Sequence, residues 1–275
     1  MTTARREQLL SYAVLGAFAI VAIYPILSIV LLAFHRRSDL VTGFDIPDRL
    51  SFDTFKQAWE LGGFGRGLLN SFIVAASVSV ATAVLSTLAG YAFGAMRFRG
   101  SEPLFYLLLI GLIFPYEATV IPLYYVFKDA GLTDSYWALI LPQIGLSIPF
   151  GTFWMRAFFR STPISLVEAS RLDGASSLAT LLRVLLPQAK PALTTLVVLV
   201  FMWTWNEFLL ALVMIQSDDL RTAPLGLALF AGANRTQDPT LTAAAAVLVA
   251  LPVVIVYVFL QRSFIRGMFA GAVKE

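Results

Sequence analysis

Two carboxylates stand inside apolar text: Glu117 in "IFPYEATVIPLYY" and Glu207 in "FMWTWNEFLL". A charge near the centre of a bilayer costs several kcal/mol, so each must lie near an interface or face a polar interior. Glu207 has Trp203, Trp205 and Asn206 for neighbours. Aromatic faces beside hydrogen-bonding side chains suit a sugar ring, which has apolar faces and a hydroxyl rim. The same residues would also serve as a polar contact between helices with aromatic packing around it, and both readings stand at this level. Tyr116, Tyr124, Tyr125, Gln143 and Trp154 are secondary candidates for lining a path, since Tyr and Trp near span ends commonly anchor at the membrane interface.

Other chemistries are excluded by what is missing. The chain has no cysteine, so no disulfide, thiol nucleophile or thiolate metal site can form. Its one histidine, His35, sits beside Arg36 and Arg37 and reads as a solvated loop or interface residue, because a single imidazole is not a ligand set. The stretch "LGGFGRG" (Leu61 to Gly67) lacks the Gly-Lys-Ser/Thr of a phosphate loop and reads as a flexible joint. No pairing of nucleophile with base is visible, so the chain is not expected to be an enzyme. No cofactor or metal is expected on it. The formal net charge of +3 needs no nucleic acid, because loop lysines and arginines of a membrane protein produce it.

Hydrocarbon-like composition must position these groups. Of 275 residues 58% are hydrophobic and 13% charged, where a soluble domain carries roughly 25% charge. An apolar run of about 20 residues crosses a bilayer as a helix. Six runs qualify: about 9–34, 68–96, 103–127, 136–158, 192–215 and 241–260. None alternates with the period of two that barrel strands require. The expectation is an all-α integral membrane protein, one transmembrane domain over 1–275. Gly90 and Gly94 form a small-xxx-small pair suited to close helix contact. Pro115, Pro122, Pro142, Pro149 and Pro252 fall inside spans, where each removes a donor and tends to kink its helix. They fit a static bundle packed around kinks or a transporter built of broken helices.

Basic residues set the orientation. With the N-terminus inside, Arg5, Arg6, Arg97, Arg99, Arg156, Arg160, Arg171, Arg183, Lys190, Arg262, Arg266 and Lys274 all lie on the inner side. The positive-inside rule then places both termini in the cytoplasm. In the first outer loop, Phe52, Phe55 and Trp59 have helical spacing with Ser51 as N-cap, predicting a short helix that lies on the outer membrane surface or against the bundle.

One cytoplasmic stretch, 159–190, interrupts the apolar text. Thr162-Pro163 reads as a helix start. Glu168 and Arg171 share a face. Asp173-Gly174 breaks the helix, since Gly permits positive φ. Leu178, Leu181, Leu182 and Leu185 then form an i, i+3, i+4, i+7 stripe, and Pro187 and Pro191 bracket a turn into the fifth span. Two short helices at an angle make a knob suited to a groove on another protein.

Glu168, Ala169, Asp173, Gly174, Ala175, Leu186, Pro187 and Pro191 stand at the spacing of the EAA loop, so the chain resembles the permease subunits of ATP-binding-cassette importers. Ser170, Leu181 and Val184 depart from the pattern, which has Ala, Phe and Ile there. "IPLYYVFKDAGLTDSYWALILP", "WNEFLLAL" and "QRSFIRGMFAGAVKE" extend the resemblance to the maltose-type permeases for oligosaccharides. It implies a type I importer permease fold of six transmembrane helices with a cytoplasmic coupling-helix loop. It further implies a second homologous permease, two ATPase subunits holding ATP and Mg, and an extracytoplasmic substrate-binding protein. The chain would sit among the lipids of a bacterial or archaeal inner membrane. Glu168, Ala169, Arg171, Asp173, Gly174, Ala175, Leu178, Leu181 and Leu182 would meet an ATPase, and the tail Gly271 to Glu275 would reach the ATPase dimer. An ion-coupled secondary transporter using Glu117 and Glu207 is the alternative, but such folds usually carry internal repeats and none is visible.

Overall fold

A computed structural model describes residues 2–37, 39, 44–233 and 238–270. The expected contact of Gly271 to Glu275 lies outside them. Every regular element among the described residues is helical: α1 (Thr2–Ala33), α2 (Asp53–Gly62), α3 (Phe64–Ala95), α4 (Ser101–Ile110), α5 (Tyr116–Asp129), α6 (Tyr136–Ser161), α7 (Ile164–Leu172), α8 (Ser177–Ala179), a π-helical stretch (Thr180–Leu185), α9 (Leu186–Trp205), α10 (Leu209–Met214), a 3-10 turn (Asp218–Leu220), α11 (Ala223–Ala233) and α12 (Pro239–Ala270). Among the described residues, five continuous helices are long and apolar enough to cross a membrane: Leu10–Ala33, Phe64–Ala95, Tyr136–Ser161, Ser177–Trp205 and Pro239–Phe259.

The apolar stretch 103–127 is not one helix. Gly111, Leu112 and Ile113 donate to Leu108, Leu109 and Ile110 at 2.9–3.1 Å, so the backbone tightens into i→i−3 bonds. Pro115 then stands extended at ψ 120. A proline has no N–H to continue the ladder and disfavours helical backbone in the residue before it. The stretch 192–215 is divided too: α9 ends at Trp205 and α10 begins at Leu209.

The chain forms two compact units. In the first (Met1–Gly65 with Gly226–Leu251), the Phe34 ring packs against Phe55 at 5.0 Å and Phe52 at 5.4 Å between centroids. Helix α2 is capped at Phe52, not by the Ser51 side chain, and it buries Thr54 and Ala58. Phe52 and Trp59 are exposed. Thr54 instead donates to the His35 carbonyl at 2.8 Å, so a polar bond chose the face. The expected glycine-rich joint is a single left-handed corner at Gly63 (φ 58) from which α3 starts. Residues 10–27 of α1 are exposed throughout, an apolar surface of the kind lipid covers. Asp238 caps α12, accepting from Leu241 N at 3.1 Å, and pairs with Arg37.

The second unit (Arg66–Leu225 with Pro252–Glu275) has a core drawn from α3, α5, α6, the π stretch, α9 and α10. Helices α3 and α6 touch through Gly90 and Gly94. A Cβ at Gly90 would lie 2.5 Å from Met155 Cβ, and one at Gly94 would lie 2.9 Å from Phe159 Cβ.

Candidate functional site

The interrupted stretch folds into an elbow. Thr162 Oγ1 donates to Phe158 O at 3.2 Å, so Thr162 closes α6 and Pro163, not Thr162, caps α7. Helix α7 ends in a Schellman motif. Ala175 N donates to Ser170 O at 2.9 Å and Gly174 N to Arg171 O at 3.0 Å, with Gly174 at φ 80. Only a residue without Cβ takes that conformation freely. Ser176 Oγ then accepts from Ala179 N at 3.3 Å and starts the next helix.

That helix does not turn at the prolines. Ser177–Trp205 runs on without a break, carrying Pro187 in its first α turn and Pro191 inside. The π stretch explains the continuity. Leu186 N bonds to Leu181 O, five residues back, and the Gln188 side chain reaches Val184 O at 3.1 Å. A π ladder widens the helix where Pro187 offers no donor and crowds the preceding turn. It also resets the phase. Leu181 and Leu185 are 1% exposed, whereas Leu178 and Leu182 face out. The expected single stripe is therefore two faces, one packed in the unit's own core and one open.

Glu168, Ala169, Arg171, Asp173 and Gly174 are exposed and Ala175 is half-buried. Leu172 projects from the elbow at 90% exposure. Ser170 is buried, donates to Val167 O at 2.8 Å and sits 2.9 Å from Thr180 Oγ1. With its one proton on Val167, Ser170 must accept from Thr180. This pair joins the two arms of the elbow.

The two broken stretches meet elsewhere in the unit. Tyr116, first residue of α5, donates to Glu207 Oε1 at 2.5 Å. Glu207 also accepts from Leu210 N at 2.9 Å and Ala211 N at 3.2 Å, so its charge satisfies the free amides that open α10. Nearby in the chain, Asp134 bridges loops. It takes Gln216 N and Ser217 N, each at 2.9 Å, and the Ser217 hydroxyl. These donors, the Ser217 hydroxyl foremost, hold its carboxyl below the usual range.

The aromatic neighbours of Glu207 do not converge. Trp205 is buried against Phe201, stacked at 5.6 Å. Trp203 is exposed and edges Phe150 at 4.9 Å. The Asn206 side chain turns back to Met202 O at 2.8 Å. Glu117 is exposed. Among the secondary candidates, Gln143 donates to Leu139 O at 3.0 Å and Trp154 to Ala192 O at 2.9 Å. Two residues passed over in the sequence prove central. Asn70 is buried, gives both amide protons to Asp219 O and Arg221 O at 2.9 Å and accepts from Tyr136. Asp134 is the other, and its signal was only an aspartate in a short loop. No group of three or more His, Asp or Glu among the described residues could hold a metal ion.

The long apolar helices, two of them leading to an exposed elbow, are those of a multi-pass membrane protein. Residues 83–270 match the family model of binding-protein-dependent transport system inner membrane components. The chain is 33% identical over 254 residues to the trehalose transport system permease protein SugB of Mycobacterium tuberculosis, covering 92% of this chain and 93% of that protein. It is 31% identical over 274 residues to the maltodextrin transport system permease protein MdxG of Bacillus subtilis, covering 99% of each. A crystal structure of a bacterial ABC transporter that imports the acidic polysaccharide alginate superimposes with a TM-score of 0.80 at 26% identity, over 96% of this chain and 98% of that one. The chain belongs to the binding-protein-dependent transport system inner membrane component family. It is the permease subunit of an ATP-binding-cassette importer, not an enzyme.

Proposed function

We propose that the imported solute is a sugar or oligosaccharide, and that the loop 159–190 is the element through which separate ATPase subunits drive the chain. The observation that carries the coupling reading is the elbow at Gly174. It buries Leu181 and Leu185 in the permease while leaving Leu172, Leu178 and Leu182 open beside Glu168 and Arg171. Open leucines ringed by charge suit a groove on a protein partner, with the leucines as anchors and the charges as rim. The sugar reading rests on the relatives' substrates.

In this reading the chain crosses the membrane six times with both termini in the cytoplasm, the third crossing being α4, its break and α5. A second homologous permease completes the path. Two ATPases hold ATP and Mg, and an extracytoplasmic binding protein delivers the solute. ATP closing the ATPase dimer draws the docked elbow inward. Helix α9, continuous with one arm of it, and α6, joined to the other through Thr162 and Pro163, carry the motion into the membrane.

The test is uptake by cells carrying the full complex, with the solute held by its co-purified binding protein. Uptake should survive collapse of the proton gradient and stop on ATP depletion. Glu168→Ala or Gly174→Pro should leave the chain inserted and abolish uptake. Full uptake by both variants, or dependence on the proton gradient instead of ATP, would overturn the reading.

A further inference from the structure

Arg156 lies on α6 at only 8% exposure. Its guanidinium touches two other helices. Nη2 donates to Glu102 Oε1 at 2.6 Å, Nε donates to Phe93 O at 3.2 Å, and the guanidinium carbon lies 3.7 Å from the centre of the Phe105 ring. Glu102 and Phe105 stand three apart on α4, so the planar fork grips one face of that helix while holding the end of α3. Arg160, one turn along α6, approaches the same carboxylate at 3.9 Å. Two turns back on the same side of α6, Pro149 covers the other end of α4: a Cβ at Gly111 would lie 3.0 Å from Pro149 Cγ. One helix thus holds α4 at its base and at its break, and the chain passes from that helix through Thr162 and Pro163 into the elbow.

Stability is a poor reason for such a residue. The Glu102 side chain is 52% exposed, and an ion pair open to solvent on one side contributes little to stability.

We propose that Arg156, through Glu102 and Phe105, is a positioning residue that makes α4 follow α6 when the elbow moves. It thereby sets the break at Gly111–Pro115, one residue before Tyr116. This rests on the coupling role given to the elbow.

The chain has no cysteine, so spin-label pairs can be introduced without removing thiols from it, and it is labelled before assembly with its partners. The pair Val84/Ile164 reports the elbow and the pair Val84/Ile113 the break, all three side chains being exposed. Distances are read by pulsed EPR in the complex with its ATPases, free of nucleotide and then with ATP and vanadate. Both should change in the unaltered chain. With Glu102→Gln, and equally with the volume-matched Arg156→Met, the Ile164 change should persist and the Ile113 change be lost. Glu102→Asp, which keeps the charge, should retain both. An Ile113 change that survives Glu102→Gln or Arg156→Met overturns the proposal and leaves the elbow's role standing. An elbow that stays still in the unaltered complex removes the coupling reading, and the proposal falls with it.

Discussion

Tyr116 and Glu207 meet at 2.5 Å across the breaks in two expected spans. The carboxylate also caps α10 through Leu210 N and Ala211 N, so one side chain serves three donors from two segments. Tyr116→Phe removes one of those bonds and leaves the cap intact. A hydrogen bond to a charged group contributes about 1.5–3 kcal/mol, and the half-buried site should place this one toward the lower end. Glu207→Ala removes all three and should lower the melting temperature of the detergent-purified chain more than Tyr116→Phe does. Equal losses would mean that the cap contributes nothing.

Asp134 makes stability depend on pH in a defined direction. Its carboxyl is held below the ordinary value by the Ser217 hydroxyl and the two backbone amides. A depressed folded value means that the stabilisation is complete above the unfolded pKa of about 3.9. It is lost as pH falls through the lower, folded value. Asp134→Asn should melt at a lower temperature at pH 7, and the gap to the unaltered chain should narrow on acidification toward pH 3. Asparagine also tolerates the left-handed backbone at φ 54, so the substitution isolates the charge. A gap that stays constant with pH would assign the effect to geometry instead.

Gly90→Ala would push a methyl to within 2.5 Å of Met155 Cβ. Overpacking of this kind costs about 1–3 kcal/mol. A methyl added at Gly145 would meet nothing within 4 Å, and Gly145→Ala should be neutral or slightly stabilising, because alanine is the better helix former. Thermal unfolding of the two variants side by side checks the contrast.

Ser170→Ala restores the family's residue at that position and deletes the bond from Thr180 that ties the arms of the elbow together. A loss of about 1 kcal/mol is expected for a buried neutral bond. Because the bond lies beside the Schellman turn, trypsin should cut after the exposed Arg171 faster in the variant. Unchanged cleavage would show that Leu181 and Leu185 hold the elbow without the hydroxyl pair.

Some of this protein follows from local chemistry. Apolar runs long enough for a bilayer become helices because their backbone bonds are satisfied within the segment. The turn at Asp173-Gly174 follows from the conformational freedom of one residue, and the closeness of α3 to α6 from the missing side chains of Gly90 and Gly94. Other features depend on what lies opposite. Pro142 and Pro149 sit inside an unbroken α6, whereas Pro115 stands in the break after α4 and caps the start of α5. Leu178 and Leu181 belong to opposite faces because the π stretch shifts the helical phase. Glu207 is a capping group only because a new helix begins at Leu209, a boundary that hydropathy runs straight across. Trp205 was legible as an aromatic beside a carboxylate, but Phe201 and Ala75 decide that it is buried. Periodicity is a property of the chain alone. Faces, breaks and partners are set by long-range contacts, which the sequence encodes only jointly.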